Sequence, residues 1–354
     1  MNRPIADPRL TTANISTNIL AGLCQMADEH GIACGPWFAG LRVARSQIDD
    51  ASLRVSYRQA SGILHRALRD LPVADAGLRL GRRQSIGNFG LLGLAMMTAR
   101  SFGDAVAIGL QYAPLSGSLM DLELDASDPR ELGVVARPRA DEAEILPFLC
   151  EELYASVLML CRGLVGPAFR PLRLELAYPA PAYAREYEAL FGCEVRFDMP
   201  RNREVVDPAW MDYQLPTWNP VSARQALALC RAQMPGGERP GELVASVRSL
   251  LRGRLQDNPR LADIAAEMHV TERTLRRQLA AAGTGFKQVH DQVRRERARD
   301  LLRERDLPIA QVGASVGFRD AREFRRAFKR WTGTTPSQAR DAQAATARTG
   351  DAPR

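Results

Sequence analysis

The sequence predicts two domains of different class: an α+β domain over residues 1–234, and an all-α domain over residues 242–340 in which two helix-turn-helix units are joined by a long helix. Three observations carry this reading. Alternation of apolar and polar residues, the mark of strands, falls only before residue 210. A short helix, a tight turn and a longer basic helix occur in that order twice after residue 260. Between the two regions, residues 235–241 (Pro235-Gly236-Gly237-Glu238-Arg239-Pro240-Gly241) are rich in breakers and poor in apolar side chains, which reads as a linker. A chain of 354 residues has room for two domains, and 45% apolar with 25% charged residues is the usage of chains that bury a core.

Within the first domain, residues 14–72 read as two or three helices, with Ile63, Leu64, Ala67, Leu68 and Leu71 at helical spacing. Residues 85–113 read as helices punctuated by glycine. Residues 119–124 read as a strand, Ser127-Asp128-Pro129 as a turn, and residues 131–136 as the hairpin partner. From Ile145 to Leu164, residues Leu146, Leu149, Leu153, Val157, Leu160 and Leu164 recur at spacings of three and four. That stripe is read first as core and second as a self-association face. Leu172, Leu174 and Leu176 alternate as in a strand, and residues 195–197 and 204–206 read as two more.

Several chemistries lose ground at this stage. The longest strongly apolar run, Phe89 to Met97, is too short to span a bilayer, and residues 1–20 lack the apolar stretch of a secretory signal. Cys24, Cys34, Cys150, Cys161, Cys193 and Cys230 form no C-x-x-C, and His30, His65, His269 and His290 are scattered, so the expectation is a cytoplasmic protein with reduced thiols, no metal and no cofactor. Cys24 and Cys34 read as buried thiols before they read as a redox pair. Gly313-Ala314-Ser315-Val316-Gly317 matches a hydrolase elbow in letters, but Ser315 follows a helix pattern instead of a strand. Gly87, Gly90 and Gly93 lack the spacing of a dinucleotide loop and read as a turn or a tight helix contact. Met96 and Met97 read first as core and second as the wall of an effector pocket, because methionine adapts to irregular ligands. With Phe89 they are the weak candidates for effector binding.

Charge placement is the informative part of the composition. The net charge is +7, and nearly every cation is arginine; Lys287 and Lys329 are the only lysines. Residues 1–240 carry a net −2, whereas residues 241–340 carry a net +9. Within that block, Leu261–Ala265, a turn near His269 and residues 271–279 form the first unit; Ile309–Ala314, a turn at Gly317-Phe318 and residues 320–331 form the second. Thr271 and Asp320 take N-cap positions, and Glu323 three residues after Asp320 suggests a capping box. Leu275 and Leu279 share one face of the first basic helix, with Arg273, Arg276 and Arg277 opposite. Phe324, Phe328 and Trp331 form the apolar stripe of the second, opposite Arg322, Arg325, Arg326 and Lys329. Like charges on one helix face repel one another unless anions cover them, and DNA phosphates and guanine edges are such anions. Between the units, residues 286–303 read as a helix of about 27 Å, which would set two readers near one DNA turn apart.

These residues resemble a known family. From Leu243 to Arg340 the chain resembles the DNA-binding domain of the AraC/XylS family of bacterial transcription factors, most specifically over Gly317-Phe318, Phe324, Arg326, Phe328-Lys329-Arg330-Trp331, Gly333, Thr335-Pro336-Ser337 and Arg340. The resemblance implies base-contacting roles for Arg273, Arg276 and Arg277 in the first reader and for Ala321, Arg322, Arg325 and Arg326 in the second. The family often has a small hydroxyl residue where Arg322 stands and an aromatic where Ala339 stands. Residues 84–105, with Gln84-Ser85-Ile86-Gly87, Phe89-Gly90-Leu91-Leu92-Gly93 and Phe102-Gly103-Asp104-Ala105, resemble the "arabinose-binding" sensor domain of one subgroup, over about residues 20–210. Together these imply a homodimeric regulator, activator before repressor, that binds double-stranded promoter DNA, answers to a small-molecule effector, meets RNA polymerase and touches no membrane; the apolar, methionine-containing segment 89–97 favours an apolar or amphipathic effector over a sugar. The rival readings are a DNA-binding repair or redox-type protein with a reactive cysteine, Cys161 beside Arg162 being the nearest to one, and an effector-independent DNA-binding oligomer.

Overall fold

The computed structural model describes residues 8–50, 53–234, 241–303 and 307–341. The chain forms two compact units, Met1–Pro240 and Gly241–Arg354. Residues 235–240 of the expected linker and 342–354 of the expected flexible tail lie outside the described residues.

The N-terminal unit begins with α1 (Pro8–Thr11), β1 (Ile15–Ser16), α2 (Asn18–Glu29), β2 (Arg54–Val55), α3 (Tyr57–Asp70) and α4 (Ala76–Arg82). The start of α3 follows from its sequence: the Ser56 hydroxyl accepts the Gln59 N–H at 3.1 Å, and the Gln59 side chain accepts the Ser56 N–H at 3.0 Å. Ile63, Leu64 and Ala67 then bury one face. Next come α5 (Gly90–Met97), α6 (Phe102–Gln111), and the hairpin β3 (Met120–Asp128) and β4 (Glu131–Pro138), which turns at the expected Asp128-Pro129. α7 (Leu146–Val165), β5 (Arg173–Glu175), α8 (Ala184–Phe191), β6 (Glu194–Arg196), β7 (Asn202–Val206) and α9 (Pro220–Gln233) complete the unit.

Five of the strands form one sheet in the order β3-β4-β7-β5-β6, antiparallel except for the parallel pair β5–β6, which α8 connects. β7 lies at its centre and is buried along its whole length. Its alternation divides two environments. Arg203 points to one face, where its guanidinium lies 3.4 Å from Asp125 and 3.5 Å from Glu131, and Arg173 pairs with Glu131 at 2.6 Å. These partners hold the Glu131 carboxyl below its ordinary pKa. Glu204 and Val206 point to the other face, in register with Val134 and Leu132 of β4.

α7 is the axis of that second face. Its leucine stripe is core: Leu149, Leu153, Leu160 and Leu164 are buried, as are Cys150, Tyr154 and Leu158 on other sides of the helix. This leaves the stripe no role as a self-association face. The Tyr154 hydroxyl donates to the Val134 carbonyl at 3.3 Å and ties the helix to the sheet. α4 crosses α7 at backbone distance because two glycines face it. A Cβ on Gly81 would lie 2.6 Å from the Glu152 carbonyl oxygen and 2.6 Å from the Ala155 Cβ, and one on Gly77 would lie 2.7 Å from the Phe148 carbonyl oxygen.

The C-terminal unit is helical throughout its described residues: α10 (Glu242–Gly253), α11 (Leu261–Glu267), α12 (Glu272–Ala281), α13 (Phe286–Arg303), α14 (Ile309–Ser315) and α15 (Ala321–Thr332), followed by helical residues 336–341. It has its own core, in which Val289, Val293, Ala298, Leu301 and Leu302 of α13 join Val247 and Leu251 of α10 and Phe324 and Phe328 of α15. Ala339 packs against this core, partly buried, where the family resemblance places an aromatic.

The α4–α7 approach generates a prediction. Gly81→Ala should destabilise the chain by about 1–3 kcal/mol, since the added methyl meets backbone that cannot rotate away. Thermal or urea unfolding of the full chain measures this, and unchanged stability would contradict the close packing.

Candidate nucleic-acid interface and ligand cavity

The first reading unit runs α11, turn, α12. His269 at φ +54° turns the chain, and the Thr271 hydroxyl caps α12 by accepting the Thr274 N–H at 3.2 Å. Leu275 and Leu279 are fully buried, which forces Arg273, Arg276 and Arg277 outward, and all three are exposed. Arg276 lies 3.8 Å from Glu272 one turn earlier. Such an exposed pair contributes little stability and yields readily to a phosphate. Arg273 and Arg277 have no acidic partner within 4 Å among the described residues.

The second unit runs α14, turn, α15. Gly317 closes its turn at φ +82°, and a Cβ there would collide with the Leu255 carbonyl oxygen. The Asp320 carboxylate caps α15 through the Arg322 N–H at 2.8 Å, so the cap reaches the second residue instead of closing the expected box with Glu323. Phe324, Ala327 and Phe328 are buried, and Trp331 is half-buried against Phe318 with ring centroids 5.8 Å apart. Arg322, Arg325, Arg326 and Lys329 are exposed along the opposite side, and Ala321, at the first position of α15, is half-buried. The structure thus sets the expected cations on two outward faces, one on each of two capped helices.

Sequence reasoning missed what holds the two reading units together. Arg294 of α13 donates to the Asn258 side-chain oxygen at 2.6 Å, beside α11, and to the Gly317 carbonyl at 3.3 Å, in the second turn. Its guanidinium also stacks on the Phe318 ring at 4.7 Å. Farther along α13, Glu296 accepts Arg248 at 2.7 Å and Arg252 at 3.1 Å. A cation on a polar helix reads as solvated; only the fold shows that Arg294 faces two turns.

The N-terminal unit holds a cavity of about 130 Å³ between the inner face of the sheet and α5, α6 and α7. Its wall is mainly apolar, with Leu132, Val134, Leu153, Leu160 and Phe169 among the lining side chains. Of the weak effector candidates, Phe89 and Met96 line it, whereas Met97 is half-buried and does not. Met96 is core, as its primary reading had it, and at the same time one wall of the cavity. Two acidic residues also line it, Glu152 of α7 and Glu204 of β7, and neither was singled out from the sequence. Burial pushes the carboxyl of Glu152 up to about 7 and that of Glu204 up to about 8. Asn18, Gln84 and Asn88 line both this cavity and a more polar surface depression beside it, so they mark its solvent side.

The hydrolase elbow, the dinucleotide loop and a metal site find no geometry among the described residues, whereas the thiols of Cys24 and Cys34 do lie against one another. Ser315 ends helix α14 instead of following a strand. Gly90 takes φ +53°, and a Cβ on Gly93 would strike the Ile86 carbonyl oxygen, so the glycine series is a tight turn. Among the described residues no cluster of three or more His, Cys, Asp or Glu is placed to hold a metal, and no helix is long and apolar enough to cross a membrane. Burial raises the pKa of Cys24, Cys150, Cys161, Cys193 and Cys230, which is opposite to what a reactive thiolate requires.

Two capped basic helices in one helical unit, and a largely apolar cavity in the other unit, define a DNA-binding regulator with a ligand-binding-type domain. Comparison with known proteins places it further. Residues 31–215 match the family model of the arabinose-binding domain of AraC transcription regulators, and residues 264–342 match a helix-turn-helix domain. The chain is 31% identical over 321 residues to the ornithine utilization regulator of Pseudomonas aeruginosa, covering 90% of this chain and 94% of that protein. It is 27% identical to the HTH-type transcriptional regulator VqsM of the same organism, over 75% of this chain and 83% of that one. The crystal structure of the transcriptional regulator CdpR, also from Pseudomonas aeruginosa, aligns with a TM-score of 0.47 and 23% identity over 92% of this chain and 98% of that one. The chain belongs to the AraC family of transcriptional regulators.

The two outward faces generate a prediction about roles. Arg276→Ala and Arg326→Ala should each cost about 1–3 kcal/mol at a cognate site and relax preference at one base position. Phe328→Ala should instead cost about 3–5 kcal/mol of stability in the C-terminal unit. Binding titrations on cognate and random duplexes, with unfolding curves, separate the two; equal losses on both duplexes for both arginine variants would contradict base reading.

Proposed function

We propose that α12 and α15 enter successive major grooves of promoter DNA, with Arg273, Arg276, Arg277, Arg322, Arg325, Arg326 and Lys329 supplying phosphate and base contacts and Ala321 lying against the bases at the start of α15. The observation that supports this most is the recurrence of one design: apolar side chains buried on the inner face, exposed cations on the outer, each helix opened by a side-chain cap. α13 spans about 27 Å between the reading units, near the pitch of one DNA turn. On this reading the protein acts in the cytoplasm, without catalytic turnover.

The N-terminal unit is proposed to sense a small effector in its cavity. Its mainly apolar wall suits a small amphipathic molecule better than a sugar. One relative is named for ornithine utilization, and a response to a small metabolite fits this chain as well. Effector binding controls the regulator only if it favours one conformation over another. Activation through contact with RNA polymerase, by a homodimer, completes the proposal. Because the α7 stripe is core, dimerisation must use another surface.

A direct test is the salt dependence of DNA binding by residues 241–341. If about six phosphates are neutralised, log K should fall against log salt with a slope of roughly −5. A flat response, or equal binding by residues 1–234, which carry no net positive charge, would overturn the assignment.

A further inference from the structure

The cavity wall contains a buried carboxyl with no hydrogen-bond partner among the described residues. Glu204 is 1% exposed, and its Oε1 has no hydrogen-bond donor among the described residues. Its strand neighbour Arg203 points to the opposite face, where Asp125 and Glu131 occupy it. Across the ladder stands Val134, which offers no side-chain donor. Glu152, 8% exposed, accepts one bond from the Ser156 hydroxyl, one turn on along α7, at 2.9 Å. Glu151, next to it but directed away from the cavity, shows how this fold treats an acid buried for structure: the hydroxyls of Tyr183 and Tyr187 both donate to it.

Leaving a buried carboxyl without a donor costs free energy, and folded proteins rarely do so without a use for it. The cavity lining contains these two acidic side chains and no lysine, arginine or histidine. An anionic ligand would meet two carboxyls and no counter-charge. A sugar would meet a largely apolar wall. A cationic head on a short apolar tail satisfies both features at once: the Glu204 carboxyl releases its proton to solvent as the ammonium group binds, the ammonium donates to the carboxylate so formed, and the tail covers the leucine and valine face of the sheet and α7. The size agrees: a cavity of about 130 Å³ is close to one that holds a benzene-sized molecule, of the order of 150 Å³.

We propose that this cavity binds a small alkylammonium ligand, with Glu204 as the principal partner of the ammonium group, Glu152 as the second, and the hydrocarbon part against Val134, Leu153 and Leu160. This rests on the reading of the N-terminal unit as an effector sensor and names the chemical class of the effector. No protein side chain among the described residues donates to Glu204 Oε1, and the ammonium group supplies that donor. Binding and stability are therefore linked, and the ligand should raise the melting temperature.

The test uses the full chain and three probes of one length: n-pentylamine, 1-pentanol and pentanoate, each followed by calorimetric titration and by melting temperature. The expected result is saturable binding of n-pentylamine at least tenfold tighter than 1-pentanol, with no binding of pentanoate. Glu204→Gln should weaken the amine at least tenfold while leaving the alcohol within twofold. Should that variant fail to fold, Glu152→Gln carries the same comparison, with a smaller but selective loss for the amine. Equal or tighter binding of the alcohol or of pentanoate would overturn the ammonium assignment and leave the sensor reading standing. An unselective effect of the folded variant would do the same. Failure of all three probes to bind would likewise overturn the ammonium assignment, whereas the sensor reading itself fails only if no small molecule shifts the melting temperature of the N-terminal unit.

Discussion

The geometry of the DNA-binding unit depends on one guanidinium. Arg294 projects from the middle of α13 and bonds to Asn258 on one side and to the Gly317 carbonyl on the other, with Phe318 stacked on its face. Both bonded residues adopt left-handed backbone, φ +52° at Asn258 and φ +82° at Gly317, so the turns bring their polar atoms toward the central helix instead of toward water. Through this one side chain, the segment preceding α11 and the turn preceding α15 share a reference point on a rigid rod. The spacing of the two reading helices is then a property of packing and not of flexible connections. Gly317 makes the arrangement possible, because any side chain there would strike the Leu255 carbonyl.

Charge is distributed in the opposite way in the two units. In the C-terminal unit, burial of Leu275, Leu279, Phe324 and Phe328 drives cations outward, where their mutual repulsion is relieved by an anionic partner. In the N-terminal unit, Arg173 and Arg203 of the sheet are matched by acids on its outer face, while Glu204 stands unmatched inside, at the cavity. A surface of exposed arginine and an interior of unpartnered carboxyl are each costly to an isolated fold. Each is explained by a ligand of the opposite sign, a polyanion outside and a small cation within.

Much of this was legible in the sequence where local pattern and tertiary role agree. α13 begins where its apolar spacing suggested and is helical through Arg303, and the β3–β4 hairpin turns at Asp128-Pro129, because helical periodicity and turn chemistry are local signals. α4 went unnoticed because Gly77 and Gly81 weaken a helical pattern, although here they permit the approach to α7. α8, eight residues long, is too short for periodicity to declare it. At the reading helices, outward arginines could be inferred from the leucines and phenylalanines opposite them. Arg294 could not, since nothing in sequence distinguishes a solvated arginine from one directed at two turns. Nor could Glu204: an acid within a strand reads as the solvent side, and only the central place of β7 turns it inward. Met96 and Met97 differ by about 100° around their helix, which is enough to put one at the cavity and the other away from it.

The proposal for the C-terminal unit is that one chain reads DNA with two helices, α12 and α15, in successive major grooves. Guanine methylation interference on a duplex selected from random sequence, read at single-base resolution with the full chain, tests this most directly. The expected result, for each chain bound, is two clusters of interference about 10 base pairs apart on one face of the DNA, with the contacts of one cluster lost in a variant of α12 and those of the other in a variant of α15. A single cluster, or two clusters that disappear together whichever helix is altered, would contradict it.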